Sequence, residues 1–121
     1  MTSLFEFHDV TVRIDSVDVL QNVSLAIPDS KLTVIAGASG SGKSTLLRCC
    51  NRLDAPSSGS LQYLGEEVDS LDPLQHRRSV GMVFQQPVTF PGSVFENLRA
   101  ALPDLSQERA VQLCIRLALN I

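Results

Sequence analysis

Three observations predict an α/β protein. The chain begins with two alternating segments, carries two short continuous apolar runs further on, and has a glycine-rich loop joining the first of those runs to an amphipathic pattern. Period-two alternation marks strands covered on one face, continuous apolar runs mark strands covered on both, and a 3.6-residue period marks helices. The expected architecture is an antiparallel β part followed by strands buried on both faces with helices against them.

Residues 4–14 and 19–27 alternate and are rich in Val, Phe and Thr, which predicts two antiparallel-type strands, with Asp15-Ser16 as the turn and Pro28 as the stop. Residues 32–36 (LTVIA) are continuously apolar, as expected of a strand buried on both faces, and lead into GASGSGKS. From Ser44, the positions Leu46, Cys49, Cys50 and Leu53 form one helical face, and Pro56, Ser57, Ser58 and Gly59 end the helix in a turn cluster. Residues 60–63 predict a further strand before a turn at Gly65. Asp72-Pro73 opens a short helical turn through Arg78, and residues 80–84 (VGMVF) are the second buried-strand candidate. Ser93-Val94-Phe95-Glu96 has the capping-box form and predicts a helix from Val94 to about Ala101, broken by Pro103. A last helix from Ser106, with Val111, Cys114, Ile115, Ala118 and Ile121 on one side, is expected to run to the end of the sequence.

Composition narrows the function classes. A chain of 121 residues is one modest domain or a piece of a larger one, and 44% hydrophobic with 19% charged residues argues against a disordered tail. The net charge of −3 disfavours a non-specific grip on nucleic acid, which depends on neutralising phosphates. No apolar run approaches the roughly 20 residues that cross a bilayer, and MTSLFEFHDV lacks the basic start and apolar stretch of an export signal. Three cysteines do not make a disulfide framework, so a cytoplasmic setting is expected.

Gly37-Ala38-Ser39-Gly40-Ser41-Gly42-Lys43-Ser44 fits G-x-x-x-x-G-K-[ST] at every fixed position, between a strand candidate and an amphipathic helix. Glycines let successive backbone N–H groups turn towards one phosphate, and the helix start adds its positive end. Lys43 is expected to reach the β- and γ-phosphates, the Ser44 hydroxyl to ligate Mg2+, and Thr45 to sit beside the phosphates. The expected ligand is a nucleoside triphosphate with magnesium.

Two longer segments narrow the family. VLQNVSLAIPDSKLTVIAGASGSGKSTLL resembles the start of ABC-family ATP-binding domains, and RRSVGMVFQQPVTFPGSVFENL resembles the segment around that family's glutamine loop. With LLRCCNRLDAPSSGSLQYLGEEV between them, the resemblance covers nearly the whole chain. It implies an α/β P-loop NTPase fold, an antiparallel β subdomain plus a partial parallel core sheet with helices, with residues 1–121 as a partial nucleotide-binding domain, a phosphate loop at 37–45 and a glutamine loop at 85–92. It also implies ATP and Mg2+ as ligands, and Gln85 as the residue that meets Mg2+ and the attacking water. The adenine-stacking aromatic of the family has no counterpart in Val12-Arg13-Ile14-Asp15, where Ile14 and Arg13 are the available surfaces.

No LSGG string occurs, nor an apolar run ending in Asp-Glu, so the signature motif, the catalytic carboxylate and the switch histidine of the family are missing. The resemblance therefore implies a fragment or truncated product, with a gap in the core sheet, and an inactive chain when alone. Asp54, Asp69, Asp72 and Asp104 lie in turn-like segments where solvated or capping roles are expected. Cys49, Cys50 and Cys114 are expected in the core, His8 and His76 have no partners at metal-ligand spacing, and His76-Arg77-Arg78 is expected to be solvated or strand-flanking rather than a nucleic-acid contact. Phe90, in PVTFPG, either folds back on the domain or, as the resemblance implies, faces a membrane subunit.

The intact protein implied by the resemblance is an ATP-hydrolysing transporter subunit at the inner face of the membrane. Its partners are a transmembrane permease and a second ATP-binding subunit, without nucleic acid. FQQPVTFPGS resembles importers of inorganic ions, phosphate among them. The alternatives are a fragment of a soluble ABC ATPase and a non-catalytic remnant.

Overall fold

The computed structural model describes residues 2–119. They divide into two compact units, Met1–Met82 and Val83–Ile121. Ile121, expected on the last helix, lies outside the described residues.

The first unit is built on a four-stranded antiparallel sheet of order β2-β1-β3-β4, with β1 at Ser3–Ile14, β2 at Val17–Pro28, β3 at Ser58–Tyr63 and β4 at Glu66–Glu67. Asp15 and Ser16 both take positive φ (50° and 65°), the geometry whose twist matches a two-residue hairpin. Leu64 and Gly65 repeat it between β3 and β4, with φ of 49° and 83°.

In β1 the core-facing residues are Phe5 and Phe7, then Val10 and Val12, so the alternation slips by one residue. The slip coincides with a register shift between Phe7 and Val10, and with φ of 49° at Asp9. An extra residue in a strand restores phase, keeping both pairs on the buried face. Gly59 sits opposite, where a Cβ would overlap the Asp9 carbonyl.

Helix α1, Lys43–Cys50, lays Leu46, Cys49 and Cys50 against this face. Together with Phe5, Phe7, Val10, Val12, Leu20, Leu61 and Val68 they form the core of the unit. Burying each large apolar side chain contributes about 1.5–3 kcal/mol. Leu53, expected on the same helical face, is 43% exposed because the helix ends before it. A single 3-10 turn at Val68–Ser70 leads to helix α2, Pro73–Ser79, whose first turn is capped by Asp72 through Leu74 N–H.

Two expected elements differ. Residues 32–36 and 80–84 form no strand, and among the described residues no parallel pair occurs; the sheet is antiparallel throughout. Leu32 is 93% and Val83 96% exposed. A strand covered on both faces needs a neighbour on each edge, and no described strand pairs with either run, so apolar sequence alone does not hold them extended and buried.

The second unit carries helices α3, Val94–Ala101, and α4, Gln107–Arg116. Leu105, Ala110 and Cys114 are its buried residues. The last helix was expected to continue past Ala118; instead Leu117 caps it and Ala118 turns to φ of 57°. Its buried side is Ala110 and Cys114, whereas Ile115 is 65% exposed.

Candidate functional site

Helix α1 begins inside the glycine loop. Its N-cap, Gly42, has φ of 98°, and a Cβ there would come within 2.7 Å of Leu20 and 2.9 Å of the Val19 carbonyl oxygen. Only glycine meets both the left-handed backbone and this close approach to β2. The loop is thereby pressed onto the edge of the sheet.

The start of α1 also lacks a side-chain cap, whereas α2, α3 and α4 are capped by Asp72, Ser93 and Ser106. First-turn N–H groups have no acceptor within their helix, and the helix dipole favours an anion beside them. A cavity of about 180 Å3 lies at this end, lined by Val19, Gly40, Gly42, Lys43, Ser44 and Thr45.

Lys43 Nζ donates to the carbonyls of Gly37 (2.7 Å) and Ala38 (2.6 Å) and to Ser41 Oγ (3.2 Å). An ammonium has three donors, so the loop's own oxygens engage all of them and hold the charge over the loop. Gly37, Ala38, Ser39, Gly40, Ser41 and Ser44 are exposed around it. Thr45 is 5% exposed and its Oγ1 accepts from Arg48 at 3.4 Å, so its side chain is anchored inward. An uncapped helix start, an adjacent ammonium and a free serine hydroxyl suit a phosphate with a hard cation, so the residues present fit MgATP.

In the stretch expected to stand at the adenine contact, Val12 is in the core, Arg13 Nε donates to Asp18 at 2.7 Å, and Ile14 is 37% exposed. The hydrogen bond from Arg13 is the main cause that holds the Asp18 carboxyl below its ordinary range. Gln85 belongs to the second unit, in an exposed bend. Phe90 is 63% exposed, and its backbone is clamped: Asn97 Oδ1 accepts from Phe90 N–H (2.7 Å), while Asn97 Nδ2 donates to the carbonyls of Phe90 (3.0 Å) and Ser93 (2.9 Å). Among the described residues, no group of three or more His, Cys, Asp or Glu side chains could hold a metal ion.

His76, expected in a solvated or strand-flanking role, is 4% exposed and therefore not solvated. It is set edge-on to Tyr63 at 5.0 Å, and its Nε2 lies 2.7 Å from the Cys50 carbonyl. Arg77 reaches the Asn51 and Arg52 carbonyls at 3.3 and 2.8 Å. The local sequence hides this because the partners are 25 or 26 residues away; cationic side chains near the unpaired carbonyls of a helix end are the only general signal.

The fold and loop define a phosphate-loop nucleotide-binding protein. A family model described as ABC transporter matches residues 20–120, and the chain belongs to that family through its ATP-binding domain. It is 42% identical over 103 residues to ABC transporter I family member 17 of Arabidopsis thaliana, covering 84% of this chain and 39% of that protein. It is 38% identical over 109 residues to phosphate import ATP-binding protein PstB 2 of Lactobacillus johnsonii, covering 84% of this chain and 43% of that protein. It is 37% identical over a 129-residue alignment to phosphate import ATP-binding protein PstB of Tropheryma whipplei, covering 96% of this chain and 50% of that protein. The chain thus spans half or less of the length of these relatives. ABC ATP-binding family members are ATPases, and those of importers dimerise and work with transmembrane permease components. Among the described residues no helix is long and apolar enough to cross a membrane.

Proposed function

We propose that residues 37–45 hold the phosphates of ATP and that the chain is the phosphate-binding part of a transport ATPase subunit. The uncapped start of α1 beside Lys43 is the observation that carries this reading. First-turn N–H groups bind the phosphate oxygens, and Lys43 exchanges its carbonyl partners for the β- and γ-phosphates. Ser44 holds the cation, and Gln85, by its likeness to the family's glutamine loop, is the residue proposed to orient water. Magnesium, when bound, neutralises developing charge on the phosphates.

The transported substrate proposed is inorganic phosphate, on the support of the two relatives named for phosphate import. Exposed Phe90, held by Asn97, is the proposed contact to the permease. Docking places the subunit at the inner face of the membrane, where two subunits close over ATP.

Titration calorimetry with MgATP tests the site. Wild type binds and Lys43→Ala does not, because Lys43 is the fixed cation of the loop; equal affinity in the two removes the assignment.

A further inference from the structure

We infer that Arg77, with His76 beside it, is a positioning residue for the phosphate loop, acting from the opposite end of α1. The inference rests on the nucleotide reading of that loop. Helix α1 has eight residues, about 12 Å of rigid rod, so whatever fixes its C-terminal end also fixes where its first N–H groups lie.

The C-terminal end is fixed by α2. His76 Nε2 meets the Cys50 carbonyl at 2.7 Å; since a carbonyl only accepts, Nε2 carries the proton. Its other nitrogen, Nδ1, is buried without a partner, a cost taken for that one bond. The edge-on rings of Tyr63 (5.0 Å) and Phe5 (6.5 Å) hold the imidazole in place. Arg77 donates Nε to the Asn51 carbonyl (3.3 Å) and Nη2 to the Arg52 carbonyl (2.8 Å). The tie is returned in the other direction by Arg52 Nη1, which donates to the Leu71 carbonyl at 2.8 Å.

The last carbonyl of α1 and the two that follow it thus receive donors from one short helix, and the cationic Arg77 suits the negative end of the dipole. The core contacts of α1 come from Leu46 and two small cysteines, which resist sliding and rotation less than large side chains do. The clasp supplies that resistance, so the loop amides are arranged before the ligand arrives, which removes an ordering cost from binding.

The test is calorimetry of MgATP on the 121-residue chain, which reads stoichiometry and affinity separately. Arg77→Ala is expected to keep the stoichiometry and weaken affinity roughly tenfold, the scale of one charged hydrogen bond. Arg77→Lys, able to satisfy one of the two carbonyls, is expected to recover part of that loss. Arg52→Ala cuts the clasp from the other side and is expected to weaken affinity in the same way, which keeps the test open if Arg77→Ala does not fold. Unchanged affinity in both alanine variants, or lost stoichiometry with wild-type affinity, overturns the inference by reducing the clasp to stability alone. Failure of the nucleotide reading looks different: wild type and Lys43→Ala then behave alike, and the inference falls with it.

Discussion

Gly42 joins two requirements at one atom, since its φ of 98° and its approach to Leu20 both exclude a side chain. Gly42→Ala is expected to cost about 1–2 kcal/mol for the left-handed backbone alone. The overlap with β2 adds to that, so the loop shifts. The melting temperature should fall and MgATP affinity with it; a variant that melts lower but binds normally would show that the loop tolerates the shift. Burial pushes the Cys50 thiol up from 9.0 to about 12 and, with Asp54 adding to it, the Cys49 thiol up to about 11. Both are expected to resist maleimide at pH 8 in the folded chain and to react on unfolding. Because the folded values are raised, this contribution to stability is complete below about pH 9 and is lost as pH rises towards 11 and 12. Denaturant midpoints between pH 8 and 11 check the sign: rising stability over that window would contradict it.

Among elements, α3 was legible in full. Ser93 Oγ accepts from Glu96 N–H at 3.1 Å and Glu96 Oε2 accepts from Ser93 N–H at 2.7 Å, a reciprocal pair made by residues three apart. Ser93→Ala is expected to destabilise α3 by about 1 kcal/mol, read as faster amide exchange in Val94–Ala101 with α1 unaffected. The first hairpin, the turn at Gly65 and the helix start at Asp72-Pro73 were legible for the same reason, being local geometry, whereas β4 was not. The runs at 32–36 and 80–84 were not, because strand formation needs a paired neighbour that composition does not supply. Phe90 is an element-scale case too: Asn97 holds its backbone while the ring stays exposed. If it docks on a permease in the full-length protein, Phe90→Ala weakens subunit assembly without changing the melting temperature or MgATP affinity. A lowered melting temperature with all activities reduced together would mean that the ring supports the fold instead.

For the whole chain, binding and turnover separate. On the proposed reading phosphate contacts need only α1 and its loop, whereas hydrolysis needs a base and a charge-stabilising group for which the sequence offers no motif. The 121-residue chain is therefore expected to bind MgATP with negligible phosphate release, measured against Lys43→Ala as the blank. Release well above that blank would refute it.

By itself the sequence determined the family, the glycine loop that leads into α1, the turns at Asp15-Ser16 and Gly65 and the capping box at Ser93-Glu96, because each is carried by residues close together along the chain. Tertiary structure decided the rest. The slip in β1 that keeps Val10 and Val12 inward depends on β2 and β3 across from it. The burial of His76 and the reach of Arg77 depend on the end of α1, whose carbonyls meet these donors only when the chain returns some 25 residues later. Turn chemistry is written in neighbours, but a donor's partner is chosen by what folding brings beside it.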